Sequence, residues 1–332
     1  MPCHLWKNLF EMVFFMILGL SPVVQTANLY KLLHLLHLSK RSAGKSRMKK
    51  IWIGCVATGL MVVSGGLFGD AMAGAAVAGH PPMLSHRAIY NVSLAPGRKH
   101  GQVSSVDGRM VTEWQQTCDG LISEQRIVTD MRDEAGETSL SDISASSWES
   151  RDGLQFRFSM RQRLDHELMA EYDGNASFAS ALGAGTAMLR KPEEKEVKLP
   201  AGVLFPSGYM QSLLDAARGG QKLLTRKVFD GTSESDYYQV ISSIGAGTNR
   251  PAGGNAKGAN TPKSVLAATS GLMWWPVQVS YYAIDQKEGV PEFEMAFRLY
   301  DNGISANLIL DYGGFALFAS LQRIDAYKPP DC

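Results

Sequence analysis

Apolar and polar residues alternate over much of this chain, and no other feature of the sequence constrains the fold as strongly. Apolar residues occupy every second position of 88–94, 154–160, 293–299 and 306–312, and most of the positions between them are polar. A period of two places successive side chains on opposite faces of a β-strand. Strands with one apolar and one polar face are typical of antiparallel sheets. The sequence therefore predicts an all-β protein.

Pairs of residues suited to tight turns separate these segments. Asn-Gly and Asp-Gly pairs supply the positive φ angles that hairpin turns need. We therefore expect much of the chain to form a meander of neighbouring strands. The predicted turns are Asp107-Gly108, Asp119-Gly120, Asp152-Gly153, Asp173-Gly174, Asp230-Gly231, Asn302-Gly303 and Gly313-Gly314.

One segment has helical spacing. Apolar residues at positions 210, 213, 214 and 217 follow Pro206 and Ser207, and Gly219-Gly220 supplies a stop. This pattern predicts one short amphipathic helix over about 207–218, with Ser207 as its N-cap. We expect the apolar face of the helix to pack on the sheet.

Residues 245–264 consist mainly of small and polar residues and predict a flexible loop between two strands. No internal repeat at a fixed period is present in the sequence. We therefore expect residues 79–332 to form a single domain. Its predicted fold is an antiparallel sheet that curls into a β-spiral or barrel-like shape around one inserted α-helix.

The region before this domain has the order of a secretory signal. Basic residues between 40 and 50 precede an apolar stretch from Ile51 to Phe68, and small residues follow at 71–78. We assign the signal peptide to 48–78, with cleavage after Ala73 or Ala78. We interpret residues 1–47 as a non-native upstream extension that results from a misassigned start. The alternative, a membrane anchor at 12–24, is short of the roughly 20 residues that span a bilayer.

Charge and cysteine content describe the exported part. Residues 79–332 carry 25 basic and 30 acidic side chains, a net charge of −5, which argues against binding to nucleic acid. Only Cys118 and Cys332 remain after processing. In an oxidising compartment, two cysteines predict one disulfide.

Motifs for catalysis or metal binding are incomplete. His166-Glu167 resembles the start of a zinc-protease helix, but Ala170 occupies the position of the second histidine, so we interpret His166 as a solvated turn residue. Gly183-Ala184-Gly185 lacks the third glycine of a dinucleotide site, and no Gly-x-Ser-x-Gly motif occurs. Cys118 and Cys332 have no close cysteine or histidine with which to hold zinc. We expect no catalytic residues, no metal and no cofactor.

Two pairs of acidic residues are candidates for glycoside hydrolysis, namely Glu171 with Asp173 and Glu292 with Glu294. On an alternating strand such residues more often form the solvated face, and this is the interpretation we adopt. Aromatic residues such as Trp275, Tyr238 and Tyr281 lie in strand-like segments. They indicate a core more than a ligand groove.

The order and spacing of several short segments resemble the EipB-like cell-envelope integrity proteins of Gram-negative bacteria. The resemblance covers residues 84–332. The segments that carry it are His86-Arg87-Ala88-Ile89-Tyr90, Gly108-Arg109-Met110-Val111, Ser147-Trp148-Glu149, Leu199-Pro200-Ala201-Gly202 with Phe205-Pro206, Trp275-Pro276-Val277, Tyr300-Asp301-Asn302-Gly303-Ile304-Ser305 and Asp311-Tyr312-Gly313 with Phe315.

The resemblance implies a monomeric β-spiral in the periplasm, with the paired cysteines of the family at Cys118 and Cys332. It also implies a non-enzymatic role in cell-envelope integrity and stress resistance, together with a periplasmic tetratricopeptide-repeat partner. The protein would then be peripheral to the membrane at most. Two alternatives remain at this point: a carrier of lipid or lipoprotein acyl chains inside the curled sheet, and a hydrolase of wall polymers.

Overall fold

The structure is a computed structural model that describes residues 82–98, 101–231, 236–250, 261–284 and 289–332. The predicted upstream extension (1–47) and signal peptide (48–78) lie outside the described residues. Residues 251–260 of the predicted flexible loop also lie outside them.

The described residues form fifteen strands and two helices. The strands are β1 (His86–Leu94), β2 (Val103–Gln116), β3 (Gly120–Asp133), β4 (Thr138–Ser150), β5 (Gln155–Leu164), β6 (Glu167–Phe178), β7 (Gly185–Lys191), β8 (Lys195–Leu199), β9 (Val203–Leu204), β10 (Leu223–Val228), β11 (Tyr238–Ile244), β12 (Trp274–Ala283), β13 (Phe293–Tyr300), β14 (Ser305–Asp311) and β15 (Ala316–Ala326). The helices are α1 (Pro206–Arg218) and α2 (Lys263–Thr269).

All fifteen strands belong to one sheet that curls into a nearly closed barrel. Its strand order runs from β8 down to β1, then to β15, and from there down to β9. Neighbouring strands are antiparallel except β9 and β10, which are parallel. The first and last strands pair with each other in the middle of the sheet, while its two edges, β8 and β9, are consecutive in sequence. The predicted curled sheet is confirmed, and its predicted antiparallel pairing holds everywhere except at β9 and β10.

The period-two pattern corresponds to the two faces of the sheet. In β1, Ala88, Tyr90 and Val92 are buried, while Arg87 and Asn91 are exposed. Burial alternates in the same way along the long strands β3 and β5. The apolar positions therefore face the interior of the barrel, as the sequence predicts.

Helix α1 follows the edge strand β9 and packs inside the curled sheet. Tyr209, Leu213 and Leu214 form its buried face. At its end the Arg218 guanidinium donates to the Asp301 carboxylate (Nε to Oδ1, 2.7 Å), and both side chains are about one-tenth exposed. The predicted helix over 207–218 is confirmed and begins one residue earlier.

The prediction of a single helix is wrong, because α2 forms within and just beyond the end of the predicted loop. Val265 and Thr269, four residues apart, are buried, and the Thr269 hydroxyl donates to the Val265 carbonyl (2.7 Å). The Asn302 side-chain amide also donates to the Ala268 carbonyl (3.0 Å). Contacts with residues far away in the sequence thus stabilise α2, whose own apolar pattern is short.

Two of the predicted turns are also wrong, because Gly108 lies within β2 and Gly174 lies within β6. At both positions a neighbouring strand approaches closely. A Cβ atom on Gly108 would lie 2.4 Å from the Val128 carbonyl oxygen, and one on Gly174 would lie 2.6 Å from the Phe158 ring. These glycines allow close packing of the sheet and do not mark its turns.

The interior contains two groups of buried apolar residues. The larger group includes the buried face of α1 and the inward side chains of β10–β15. The smaller group, which we call the phenylalanine cluster, consists of Phe156, Phe158, Phe178, Phe205 and Phe229 with the aliphatic residues around them. The phenylalanine cluster lies where the two edges of the sheet approach each other.

The elements that form the candidate site lie at one end of the barrel. His86, the first residue of β1, pairs with Trp114 near the end of β2 and with Ala326 at the end of β15. Because consecutive strands reverse direction, the turns after β2, β4, β6 and β13 lie at this same end. We call it the disulfide end, because Cys118 and Cys332 are bonded there with Cα atoms 5.7 Å apart.

Candidate functional site

A cavity of about 660 Å³ opens at the disulfide end, beside the first turn of α1. Its apolar wall includes Leu121, Phe178 and Phe205, and its polar wall includes Glu149 and Ser207. The turns after β2, β4 and β6 complete it. The cavity therefore combines an apolar surface with one buried ionisable group.

Glu149 is the centre of this site. It lies near the end of β4 on the inward face and is 4 % exposed. Its Oε1 accepts a hydrogen bond from the Ser207 backbone N–H (2.6 Å), and its Oε2 accepts one from the Ser207 hydroxyl. A side chain from the middle of the sheet thus binds the N-terminus of a helix 58 residues away.

The sequence around the helix start explains why Glu149 is needed. The N-cap is Phe205, which has no side-chain oxygen, and Pro206 occupies the first helical position. The free N–H groups of the first turn therefore need an acceptor from elsewhere. The negative carboxylate also interacts favourably with the positive end of the helix dipole. The prediction of Ser207 as N-cap is wrong: Ser207 lies inside the first turn and contacts the true acceptor.

Burial raises the pKa of Glu149 from 4.5 to about 7, and the hydrogen bonds from Ser207 and from the Gly208 backbone counteract part of this rise. The desolvation of the charge dominates, because the side chain is almost completely buried.

The cavity and the disulfide share a wall. Thr117, which lines the cavity, precedes Cys118, and its carbonyl accepts a hydrogen bond from Arg151 Nη2 (3.2 Å). The Arg151 backbone N–H donates to the Asp119 carbonyl (2.9 Å). The bond to Cys332 therefore holds the C-terminal tail against the turn that forms one side of the cavity.

The acidic candidates from the sequence do not line this cavity. Glu171 pairs with Arg161 (2.8 Å) and Asp173 pairs with Arg190 (2.5 Å), and all four side chains lie on the partly solvated outer face. Glu294 accepts a hydrogen bond from the Ser280 hydroxyl (2.6 Å). Glu292 accepts one from the Tyr238 hydroxyl (3.3 Å). Each of these carboxylates is positioned by a side chain from another strand.

The other sequence candidates also have structural positions. His166 is exposed in the turn between β5 and β6, as predicted. Trp275, Tyr238 and Tyr281 are buried in the larger apolar group, as the core interpretation predicts. Within the described part of the chain, no three metal-binding side chains lie together, and no helix is long and apolar enough to cross a bilayer.

Glu149 was missed as a site residue, although the sequence contained a sign of it. In β4, Ile143 and Ala145 occupy the inward phase of the alternation, and Glu149 has the same phase. An acidic residue at an inward position is unusual and points to a specific partner. The partner itself, the first turn of α1, is not apparent from local sequence.

Comparisons with known proteins agree on one family. The sequence model of a family described as EipB-like matches residues 77–328. The chain is 30% identical over 283 residues to Cell envelope integrity protein EipB of Brucella abortus (strain 2308), which covers 84% of this chain and 96% of that protein. A crystal structure of a β-barrel-like protein of a domain of unknown function from Brucella abortus matches with a TM-score of 0.65 at 28% identity. That match covers 75% of this chain and all of the other.

Proposed function

Because the chain belongs to the EipB-like family, we propose that it supports the integrity of the bacterial cell envelope as a non-enzymatic protein of the periplasm. The observation that carries this proposal is the extent of the match to EipB, which spans nearly the whole of that protein. The relationship supports a role in the envelope.

The geometry of Glu149 supports a non-enzymatic role. Both oxygens of Glu149 accept hydrogen bonds from Ser207 at the start of α1, as expected for a carboxylate that caps a helix. The Ser207 hydroxyl donates to Glu149, so this contact is accounted for by the positioning of the helix.

We propose that the protein acts by binding a partner protein of the tetratricopeptide-repeat type and that it is itself a monomer. The acyl-chain carrier is a second candidate, favoured by the apolar wall of the cavity at Leu121, Phe178 and Phe205. Much of the remaining interior is occupied by the core around α1. This arrangement favours the partner-binding proposal over a deep lipid site.

Complementation tests the proposal. A Gram-negative strain that lacks its own EipB-like protein should regain tolerance of an antibiotic that blocks wall synthesis when it expresses this chain. Asp173→Asn, Glu294→Gln and Ser207→Ala should complement as well as the wild type, because none of these groups performs chemistry. Loss of complementation by Ser207→Ala with unchanged stability and export would revive the enzyme hypothesis.

Two further measurements address the partner and the alternative. Purification from the periplasm should enrich a repeat protein, and its absence would count against the proposed partner. Native mass spectrometry that shows a bound lipid in stoichiometric amount would favour the carrier.

Export should need only residues 48–78, and failure of export after deletion of 2–47 would contradict the misassigned start.

A further inference from the structure

Four polar side chains occupy inward positions of β3 and β4, and we call them the polar wall. Ser123, Gln125 and Thr129 lie on the inward phase of β3, and Ser141 lies on the inward phase of β4. Each of these residues is at most 4 % exposed. The inward positions of β13 and β14, by contrast, are all apolar. The interior of the barrel therefore differs in polarity between its two sides.

One side-chain oxygen of each residue in the polar wall lacks a hydrogen-bond partner within the part of the chain that the structure describes. The atoms are Ser123 Oγ, Gln125 Oε1, Thr129 Oγ1 and Ser141 Oγ, and all four are buried. An unpaired buried polar group costs free energy, and native proteins satisfy nearly all such groups with protein atoms or ordered water. The polar wall therefore needs hydrogen-bonding partners in addition to the side chains around it.

The strand register arranges these oxygens in two pairs. Thr129 and Ser141 are directly opposite each other in the β3–β4 ladder. Opposite residues have Cβ atoms about 4.5–5.5 Å apart, a separation that one water can bridge with two hydrogen bonds of about 2.8 Å. Ser123 and Gln125 are two positions apart on one face of β3, with Cα atoms about 6.6 Å apart, so a second water can contact both side chains.

Close packing around the polar wall favours water over a larger ligand. Gly108 is opposite Thr129 on β2, and a Cβ atom on Gly108 would lie 2.6 Å from Thr129 Cγ2. Ile127 and Ile143, the inward pair between the two polar pairs, are 2 % and 0 % exposed. Water is the smallest molecule that both donates and accepts hydrogen bonds, and it suits a site with hydroxyl groups and an amide oxygen.

We propose that the polar wall binds ordered water molecules inside the barrel, one between Thr129 and Ser141 and another at Ser123 and Gln125. Buried water occurs at about one molecule per 27 residues in globular proteins, so two such sites are ordinary for a domain of this length. Water at the polar wall also disfavours an acyl chain there, because an apolar chain in its place would leave the same oxygens unpaired. The proposal does not depend on the role in the envelope.

Two measurements on the mature wild-type protein test this proposal. A high-resolution crystal structure should show water within about 3.2 Å of each of the four oxygens. Magnetic relaxation dispersion of water oxygen-17 should detect about two or more slowly exchanging water molecules in solution. Electron density for another ligand at these oxygens, or hydrogen bonds from protein atoms that satisfy all four, would overturn the proposal.

Substitution of the opposite pair tests the first water site. Thr129→Val/Ser141→Ala should lose one slowly exchanging water, because both of its hydroxyl partners are removed. Each single variant leaves one buried hydroxyl behind, so each should melt at a lower temperature than the double variant. Ser146→Ala/Ser159→Ala is the matched control, since it removes two hydroxyls that are opposite each other on the outer face, and it should retain the wild-type water signal.

Retention of the full water signal by Thr129→Val/Ser141→Ala would contradict the first site, as would loss of the same signal in the control. If the double variant does not fold, the crystal structure and the relaxation measurement on the wild type still decide the proposal.

Discussion

The barrel is joined in two places by different means: at the β1–β15 junction, and at what we call the seam, where the two edges of the sheet, β8 and β9, approach each other. β1 and β15 pair over nine positions, and backbone bonds from Ala95 to Ala316 and from Tyr327 to Ser85 extend the pairing beyond both ends. At the seam the contacts are made by side chains: Phe205, after β9, stacks on Phe156 (4.9 Å) and Phe178 (4.6 Å). Phe229, after β10, meets Phe158 edge-on (5.9 Å).

This difference shows what each kind of junction fixes. A backbone ladder fixes the register and satisfies the polar groups of both strands. Aromatic packing brings the edges together through burial and does not fix a register between them. The first junction therefore depends on backbone pairing, whereas the second depends on the burial of side chains.

The largest expected effect comes from the phenylalanine cluster. Phe205→Ala should destabilise the protein by about 3–5 kcal/mol, because it removes a fully buried ring that spans the seam. Phe318→Ala, at the half-exposed outer face of β15, should cost about 1 kcal/mol, because the backbone pairing remains. Urea unfolding measures both values. Equal losses would show that the two junctions do not differ in this way.

The disulfide is expected to have the next largest effect. Cys118→Ser and Cys332→Ser should each lower stability by about 2–4 kcal/mol, because the bond closes a loop of 214 positions in the unfolded chain. The double variant should match the single variants in melting temperature. Mature wild-type protein should show no free thiol when denatured without reductant, and two titratable thiols would contradict the bridge.

Glu149 provides a polar link across the seam, from β4 to the helix that follows β9. Its folded pKa of about 7 exceeds the ordinary 4.5, so its contribution to stability is fully present below pH 4.5 and is lost as the pH rises through 7. Between pH 5 and 8 the wild type should therefore lose about 2–3 kcal/mol relative to Glu149→Gln. Chemical denaturation across this range measures the difference, and parallel pH profiles would refute the assignment.

The smallest effect is expected for the exposed ion pair across the seam. Lys195→Ala and Asp236→Ala should couple by about 0.2–1 kcal/mol in a double-mutant cycle, because both side chains are well solvated. The coupling should decline in high salt. A coupling above about 2 kcal/mol would mean that this pair closes the seam, with a strength more typical of a buried pair than of an exposed one.

The sequence was informative wherever structure depends on neighbouring residues. Alternation at 154–160 and 293–299 predicted strands β5 and β13, and the spacing from Met210 to Ala217 predicted α1. Helix α2 was missed because its stability depends on contacts with β15 and Asn302. The turn prediction failed at Gly108 because that glycine serves a close approach between strands, which local sequence does not distinguish from a turn.

The candidate site was less predictable than the fold, for the same reason. The two cysteines could be paired because only two remain after the proposed processing. The role of Glu149 depends on Ser207, which lies 58 positions further on, and on the packing of α1. The position of the seam depends on the order of all fifteen strands, and no single segment encodes that order.

The meeting of β1 and β15 in the middle of the sheet has a consequence for how the chain folds. Apart from this junction, each pair of neighbouring strands is also consecutive in sequence, so most of the sheet grows by local hairpins. Joining His86 to Ala326 brings together residues separated by most of the domain, and long-range pairings of this kind slow folding. The strands β2 to β8 and the strands β14 to β9 form two series of hairpins on either side of this pairing. Forming the pairing itself has a high entropic cost, because it closes a long loop. A circular permutant opened between Leu199 and Val203 would make every pairing sequential, and it should fold faster than the native order.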